Sequence, residues 1–176
     1  MTIFDIRKLD QRVIYLQNYR GIIVIRYEFS LNNSTHYDHQ ELFSDLIASQ
    51  EYHNAFIWDD ITENEHGPFS INRIHPNQYK KLSRDQLTKE FQTLLNDEEF
   101  EPPTKEMASE VKLLLETFRE NAEFYKLELE FRAVALHKLD RYEFHHDLSS
   151  IYWEFVEFMA VENHSNLLYM MVFLYE

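Results

Sequence analysis

Two apolar runs near the end of the chain, residues 151–161 and 167–175, constrain the fold more than any other feature of the sequence. A short polar stretch, residues 162–166, joins them, and this spacing is typical of an antiparallel hairpin. The second run is apolar on both of its faces, which indicates a strand that lies centrally in its sheet. We therefore expect a β-sheet in which residues 167–175 form an inner strand.

Two other segments show strand patterns. Residues 22–30 are rich in β-branched and aromatic side chains, and Ile23, Ile25, Tyr27 and Phe29 fall on one face. Within residues 125–133, apolar residues alternate with charged ones, as in a half-exposed strand. For this second segment, a helix that continues through Leu127 and Phe131 is the alternative.

Shorter or less regular segments complete the strand predictions. Residues 56–61 and 69–74 are predicted to be short strands around a turn at Gly67 and Pro68. Residues 1–20 are ambiguous, because apolar positions fit a helix that ends before Gly21 while residues 12–17 also fit a strand. Both interpretations remain open.

Two helices begin with capping boxes, in which the N-cap side chain and the residue three positions later satisfy each other's backbone amides. The first box is Asp38 with Glu41, and its apolar stripe continues to about Tyr52. The second is Ser83 with Gln86, with a stripe that continues to about residue 96. After two prolines, Thr104 is predicted to cap a third, longer helix.

These segments predict a single α+β domain over residues 1–176, with a mostly antiparallel sheet and about three helices packed on one face. The chain has no cysteine, which excludes disulfides and thiolate metal sites and fits a reducing compartment. Its first residues lack the apolar core of a signal peptide, and no apolar run approaches the ~20 residues of a membrane-spanning helix. We expect a cytoplasmic protein that does not associate with membranes.

Charge is distributed in blocks. The net charge is 17 − 31 = −14. Residues 27–72 contain nine carboxylates and no Lys or Arg, and residues 142–176 contain six carboxylates and no Lys or Arg. Residues 73–89 carry five basic side chains against Asp85. An acidic surface of this kind disfavours a nucleic-acid partner and suits a basic protein.

Candidate catalytic and metal-binding residues are few, and each has a simpler interpretation. His145, His146 and Asp147 are typical of a polar loop, because neighbouring residues do not share the spacing of a helical metal pair. His36 and His39 straddle a predicted helix start. Ser149 or Ser150 beside these histidines lacks the nucleophile-elbow motif. Two glycines are too few for a glycine-rich phosphate loop. We expect no catalytic residue, no metal and no cofactor.

The predicted partner-binding residues lie in two acidic segments. The first begins at Trp58, an aromatic anchor followed by a cation-free run of carboxylates. The second is a cluster of four carboxylates within five positions. The candidate residues are Trp58, Asp59, Asp60, Glu63, Glu65, Asp97, Glu98, Glu99 and Glu101.

In overall character the chain resembles the immunity proteins of bacterial contact-dependent and other polymorphic toxin systems. The resemblance rests on the net charge of −14, the cation-free blocks and the absence of cysteine and of catalytic motifs. It implies a non-enzymatic cytoplasmic inhibitor that binds and neutralises a basic toxin domain, commonly a nuclease. One alternative is a small hydrolase or metal-dependent enzyme with a site assembled from scattered His and acidic residues. Another is a subunit or scaffold of a protein complex.

Overall fold

The computed structural model describes residues 3–17, 20–32, 37–53, 65–98, 100–129, 131–132 and 154–175. Their main feature is a seven-stranded sheet in which every strand pair is antiparallel. Six strands follow the order β1-β2-β9-β8-β6-β5, and β7 pairs with β8 beside β6. A separate two-stranded hairpin joins β3 and β4. The strands are β1 Phe4–Tyr15, β2 Arg20–Leu31, β3 Glu65–His66, β4 Phe69–Ser70, β5 Tyr79–Leu82, β6 Glu123–Leu127, β7 Phe131–Arg132, β8 Glu154–Glu162 and β9 Leu167–Tyr175.

The hairpin of β8 and β9 confirms the prediction from the two apolar runs. Glu154 pairs with Tyr175 at one end and Glu162 with Leu167 at the other. Asn166 has a φ of 53° at the turn, a left-handed conformation that asparagine tolerates better than most residues. Strand β9 lies between β2 and β8, which agrees with its predicted central position.

The ambiguous residues 1–20 contain strand β1, so the helical alternative for them is wrong. Its ladder with β2 contains a bulge between Lys8 and Asp10, where one extra residue enters β1. A bulge of this kind shifts the inward and outward alternation by one position. The strand therefore lacks the strict period of two by which a strand is identified in a sequence.

The predicted helix starts are confirmed. Capping boxes formed by Asp38 with Glu41 and by Ser83 with Gln86 begin α1 and α3, and the Thr104 hydroxyl accepts from the Met107 amide at α4. The first helix is shorter than predicted, because it ends at Ala48 and a separate single turn, α2, follows. The helices are α1 His39–Ile47, α2 Gln50–His53, α3 Arg84–Leu95 and α4 Lys105–Thr117.

The helices cover both faces of the sheet, which corrects the prediction that they pack on one face. Helices α1 and α2 pack on the face that carries Ile23 and Ile25. Helices α3 and α4 pack on the opposite face, which carries Ile22 and Val24. Because β2, β8 and β9 are apolar at successive positions, each face of the sheet exposes a hydrophobic surface that has to be buried. The α+β class itself is confirmed.

One smaller prediction differs from the structure in extent. Of residues 69–74, only Phe69–Ser70 form a strand, and Ile71–Arg73 form a single 3₁₀ turn. The predicted strand at 56–61 lies outside the described residues. For the predicted strand at 125–133, residues 123–127 are a strand, so the helical alternative for this segment is wrong.

None of the helices in the described ranges is both long enough and apolar enough to cross a membrane.

Candidate functional site

The structure describes part of the predicted partner-binding set. Asp97, Glu98 and Glu101 lie on the connection between α3 and α4, and the backbone of Glu65 pairs with Ser70 in the β3–β4 hairpin. The other predicted residues lie outside the described part of the chain: Trp58, Asp59, Asp60, Glu63 and Glu99.

Exposed carboxylates continue from this connection onto α4. Glu98 and Glu101 are exposed, and so are Glu106 and Glu110 in the first two turns of the helix. None of the four forms an ion pair with a Lys, Arg or His of the described residues. We call these four residues the acidic surface. Lys105 is the one cation in the sequence between residues 97 and 111, so the local charge is strongly negative.

An exposed apolar side chain lies beside the acidic surface. Leu113 is 58% exposed, one turn beyond Glu110 on α4. Residues three positions apart are neighbours on the surface of a helix. A partner that contacts the carboxylate of Glu110 therefore also meets an apolar contact point.

A buried arginine anchors the connection that carries Glu98 and Glu101. The Nε and Nη2 of Arg20 donate to Oε2 of Glu154 over 3.0 and 2.9 Å, and Nη2 also donates to the Leu94 carbonyl over 2.8 Å. The guanidinium carbon lies 4.0 Å from the centroid of the Phe100 ring, in cation–π contact. The connection is thus held to the sheet through Phe100, between its two exposed glutamates.

Sequence reasoning missed Glu106, Glu110 and Arg20. The two glutamates had a usable signal, because their spacing of four places them together on the side of α4 away from the buried Val111. Arg20 had none, since its partner Glu154 is 134 positions away. A buried arginine can be identified only when the tertiary structure shows the carboxylate that pairs with it.

The first predicted segment is flanked by residues that contact each other. Tyr52 precedes residues 54–64 and His66 follows them, and their rings stack with centroids 3.6 Å apart at an angle of 7°. Nδ1 of His66 lies 3.0 Å from the Tyr52 carbonyl oxygen, which can only accept, so Nδ1 carries the proton of this bond. These contacts hold Tyr52 and His66 together on the face of the sheet that carries α1 and α2.

A buried carboxylate lies beneath this contact. Oε2 of Glu157 lies 2.5 Å from Nε2 of His66, and Oε1 accepts a hydrogen bond of 2.5 Å from the Tyr79 hydroxyl. The hydroxyl of Tyr52 lies 2.9 Å from that of Tyr79. Burial and the charge of Glu157 raise the pKa values of Tyr52 and Tyr79 well above the ordinary tyrosine range.

Glu157 occupies an irregular part of the sheet. Lys126 pairs with Phe158, and the next pair in the ladder joins Phe131 to Phe155. Four positions thus separate Lys126 from Phe131 in the sequence, whereas only Val156 and Glu157 separate their partners on β8. Bulged segments of this kind often place a side chain where a regular ladder would not, and here the irregularity coincides with the buried carboxylate.

The His66–Glu157 pair resembles an acid–base pair in composition, but both side chains are fully buried. A catalytic acid or base has to come within hydrogen-bond distance of its substrate. Among the described residues, the pair holds Tyr52 and His66 against β8.

The structure brings no metal-binding cluster together among the residues it describes. His39 lies in the first turn of α1, where its two ring nitrogens contact the Tyr125 hydroxyl and Oδ1 of Asn163. The remaining sequence candidates lie outside the described residues: His36, His145, His146, Asp147, Ser149 and Ser150.

The acidic block at 142–176 does not present its described carboxylates to a partner. Glu154, Glu157 and Glu162 are all buried. Glu162 accepts a 3.0 Å hydrogen bond from the Arg119 amide and a 2.9 Å hydrogen bond from the Ser165 hydroxyl. These three carboxylates pair with or accept hydrogen bonds from donors in the interior, so their role is structural.

The basic block at 73–89 is largely paired within the molecule. Lys80 lies 3.6 Å from Glu128, and Lys81 forms an ion pair with Glu123. The Lys81 hydrogen bond holds the pKa of Glu123 below its usual range. Arg84 donates to the carbonyls at the end of α4, where a cation complements the helix dipole.

Comparison with protein-family models, with curated proteins and with solved structures found no match to this chain.

Proposed function

We propose that this protein is a non-enzymatic acidic binding protein that captures a basic protein partner. Its resemblance to immunity proteins suggests a partner of one kind: a basic toxin domain, such as a nuclease, that it neutralises in the cytoplasm. The observation that carries the proposal is the acidic surface. Its four exposed glutamates have no ion-pair partner among the described residues. Two of them lie on the α3–α4 connection, which Arg20 anchors through Phe100, and two lie on α4.

Anchoring matters for recognition because an ordered surface loses less conformational entropy on binding. Arg20, Glu154 and Phe100 hold the connection from the interior, so its carboxylates are presented by a preformed surface. Complementary charge then accelerates encounter, with association rate constants up to about 10⁸–10⁹ M⁻¹s⁻¹ at low salt. The same surface repels nucleic-acid phosphates, which supports a protein partner.

The first acidic segment belongs to the same proposal. Its carboxylates Asp59, Asp60 and Glu63 follow Trp58 in sequence. The contact between Tyr52 and His66 joins the described residues on either side of it. The two acidic segments are therefore the two candidates for the contact with a basic partner, and one variant in each distinguishes them.

The proposal is tested by co-purification with the product of the adjacent gene, followed by association kinetics. One variant changes Glu98, Glu101, Glu106 and Glu110 to Gln. A second changes Asp59 and Asp60 to Asn and Glu63 and Glu65 to Gln. Each removes four negative charges, so each is the control for the general effect of net charge.

We expect the association rate of the unchanged protein to fall steeply as salt is added, because exposed charges are screened beyond about 8 Å at 0.15 M ionic strength. The variant whose surface contacts the partner should associate about tenfold or more slowly at low salt, while the other changes much less. The unfolding midpoint of the Glu98, Glu101, Glu106 and Glu110 variant should stay close to that of the parent, because these exposed charges contribute little to stability. Equal rates for all three proteins at low salt would contradict the proposal.

A further inference from the structure

We propose that the outer edge of β1 pairs with β1 of a second copy of this chain, antiparallel and about a two-fold axis. Strand β1 ends the order of the sheet, and among the described residues it pairs with β2 alone. Unpaired backbone groups along such an edge form a template for another strand. This inference is independent of the acidic surface.

The charges along β1 are complementary to themselves. In the antiparallel register that places Asp5 opposite Arg12, Arg7 lies opposite Asp10. The two-fold axis repeats each of these contacts, so Asp5, Arg7, Asp10 and Arg12 each meet an opposite charge. Lys8, the fifth charged residue of this stretch, lies opposite Leu9. Opposite charges directly across a strand pair stabilise it, and like charges destabilise it.

The bulge in β1 is what places these four side chains on one face. Directly opposed residues of an antiparallel ladder share a face. Asp5 and Arg7 lie opposite Ser30 and Glu28, and Asp10 and Arg12 lie opposite Arg26 and Val24. These partners are alternate residues of β2, so all four charges share a face. In a regular strand, residues 5 and 12 would point to opposite faces.

The backbone orientation fits the same register. The Asn32 amide donates to the Ile3 carbonyl over 2.8 Å, and the Leu16 amide donates to the Arg20 carbonyl over 2.8 Å. Residues whose backbone groups bond to the neighbouring strand alternate along a ladder. Ile6 is three positions from Ile3, and Gln11 is five positions from Leu16 on the other side of the bulge. Both therefore direct their backbone groups away from β2. The proposed register places Ile6 opposite Gln11, with both sets of outward groups facing each other.

The proposed interface has a definite end. The Phe4 amide donates to Oδ2 of Asp45 over 2.9 Å. The Asp45 carboxylate thus occupies the outer side of β1 at its first residue, where a second strand would have to bond. Pairing therefore extends between Asp5 and Arg12. A strand pair of this length buries less surface than a permanent interface, and a net charge of −14 per copy opposes association. We infer a weak, reversible dimer.

Asp5 and Arg12 allow a clean test because neither forms an ion pair among the described residues. By sedimentation equilibrium at 0.15 M salt, the parent should rise from the 21.5-kDa monomer towards twice that mass as concentration approaches ~0.5 mM. Asp5→Arg places two arginines opposite each other, and Arg12→Glu places two acids opposite each other. Each should raise the dissociation constant by about tenfold or more.

Mixing the two variants should restore association, because an Asp5→Arg copy and an Arg12→Glu copy meet with opposite charges at both contacts. Glu120→Arg, which follows α4, and Lys89→Glu, on α3, change the net charge by the same amounts at exposed positions away from β1 and should leave the parent dissociation constant unchanged. A purely structural role for Asp5 or Arg12 would not produce restoration on mixing. A parent that stays monomeric throughout, single variants that still dimerise, or a mixture that stays monomeric would each overturn the proposal.

Discussion

At the scale of single residues, three interior glutamates of the β8–β9 hairpin are held by different donors. Glu154 is held by the guanidinium of Arg20, and Glu157 by an imidazole and a tyrosine hydroxyl. Glu162 is held by a backbone amide and the hydroxyl of Ser165. A buried charge is tolerated only when it is paired or hydrogen-bonded. These contacts explain how a strongly acidic chain buries carboxylates.

The Arg20–Glu154 pair gives a prediction at this scale. Arg20→Met removes the guanidinium that pairs with the buried Glu154 carboxylate, and we expect it to lower the free energy of unfolding by about 3–5 kcal/mol. Adding Glu154→Leu removes the stranded charge and should recover a large part of that loss. Urea unfolding of the parent, the single variant and the double variant measures both effects.

The outcome separates two roles for the pair. If Arg20→Met costs less than about 1 kcal/mol, Arg20 does not neutralise Glu154 to any useful extent. If the double variant is stable but binds a partner more weakly, Arg20 positions the Phe100 connection in addition to its role in stability.

At the scale of elements, the β3–β4 hairpin depends on a glycine. Gly67 has a φ of 56°, and a Cβ built on it would lie 2.1 Å from Cε2 of Phe155. Because Phe155 is fully buried, its ring has little room to move. The turn therefore combines a left-handed backbone with close approach to the core, and both require glycine.

We expect Gly67→Ala to destabilise the protein by about 2–4 kcal/mol, from the cost of the left-handed conformation together with overpacking of Phe155. Gly21→Ala is the matched control, since a Cβ there meets Val13 Cγ1 at 3.3 Å and requires only a small shift. Thermal unfolding of the two variants compares them directly. Equal losses would show that neither the left-handed conformation of Gly67 nor the contact with Phe155 destabilises the Ala variant.

At the scale of the whole molecule, buried tyrosines couple stability to alkaline pH. Burial and the charge of Glu157 raise the pKa values of Tyr27, Tyr52 and Tyr79 well above 10. Above pH 10 the unfolded chain loses these phenolic protons while the folded protein keeps them. Because the unfolded state then binds fewer protons, stability is fully present below pH 10 and is lost as pH rises above it.

We expect the free energy of unfolding to fall by up to about 1.4 kcal/mol per pH unit for each buried tyrosine above pH 10. Tyr27→Phe should reduce that slope by one such increment. Tyr15→Phe, at a position 73% exposed, should leave the slope unchanged. Urea unfolding at a series of pH values gives the slopes, and a slope that Tyr27→Phe leaves unaltered would contradict the assignment.

Local features were predictable because they depend on neighbours in the chain. The capping boxes at Asp38 and Ser83 involve residues three positions apart, and the β8–β9 hairpin joins two adjacent apolar runs. Such signals act over a few residues, so the sequence alone carries them. Part of the acidic surface was predictable for the same reason, since Glu98 and Glu101 lie close together in the chain.

The remaining features depended on contacts between distant residues. The division of helices between the two faces follows from the sheet as a whole, whose faces are both apolar. Whether a carboxylate is exposed or buried depended on its partner in the folded protein. Glu157, for example, is buried against His66, which is 91 positions away in the sequence. In the sequence, Glu157 and the exposed glutamates of the acidic surface all belong to acidic segments, and nothing local distinguishes them. Tertiary structure separates them, because a carboxylate enters the interior only where donors from other elements replace its water.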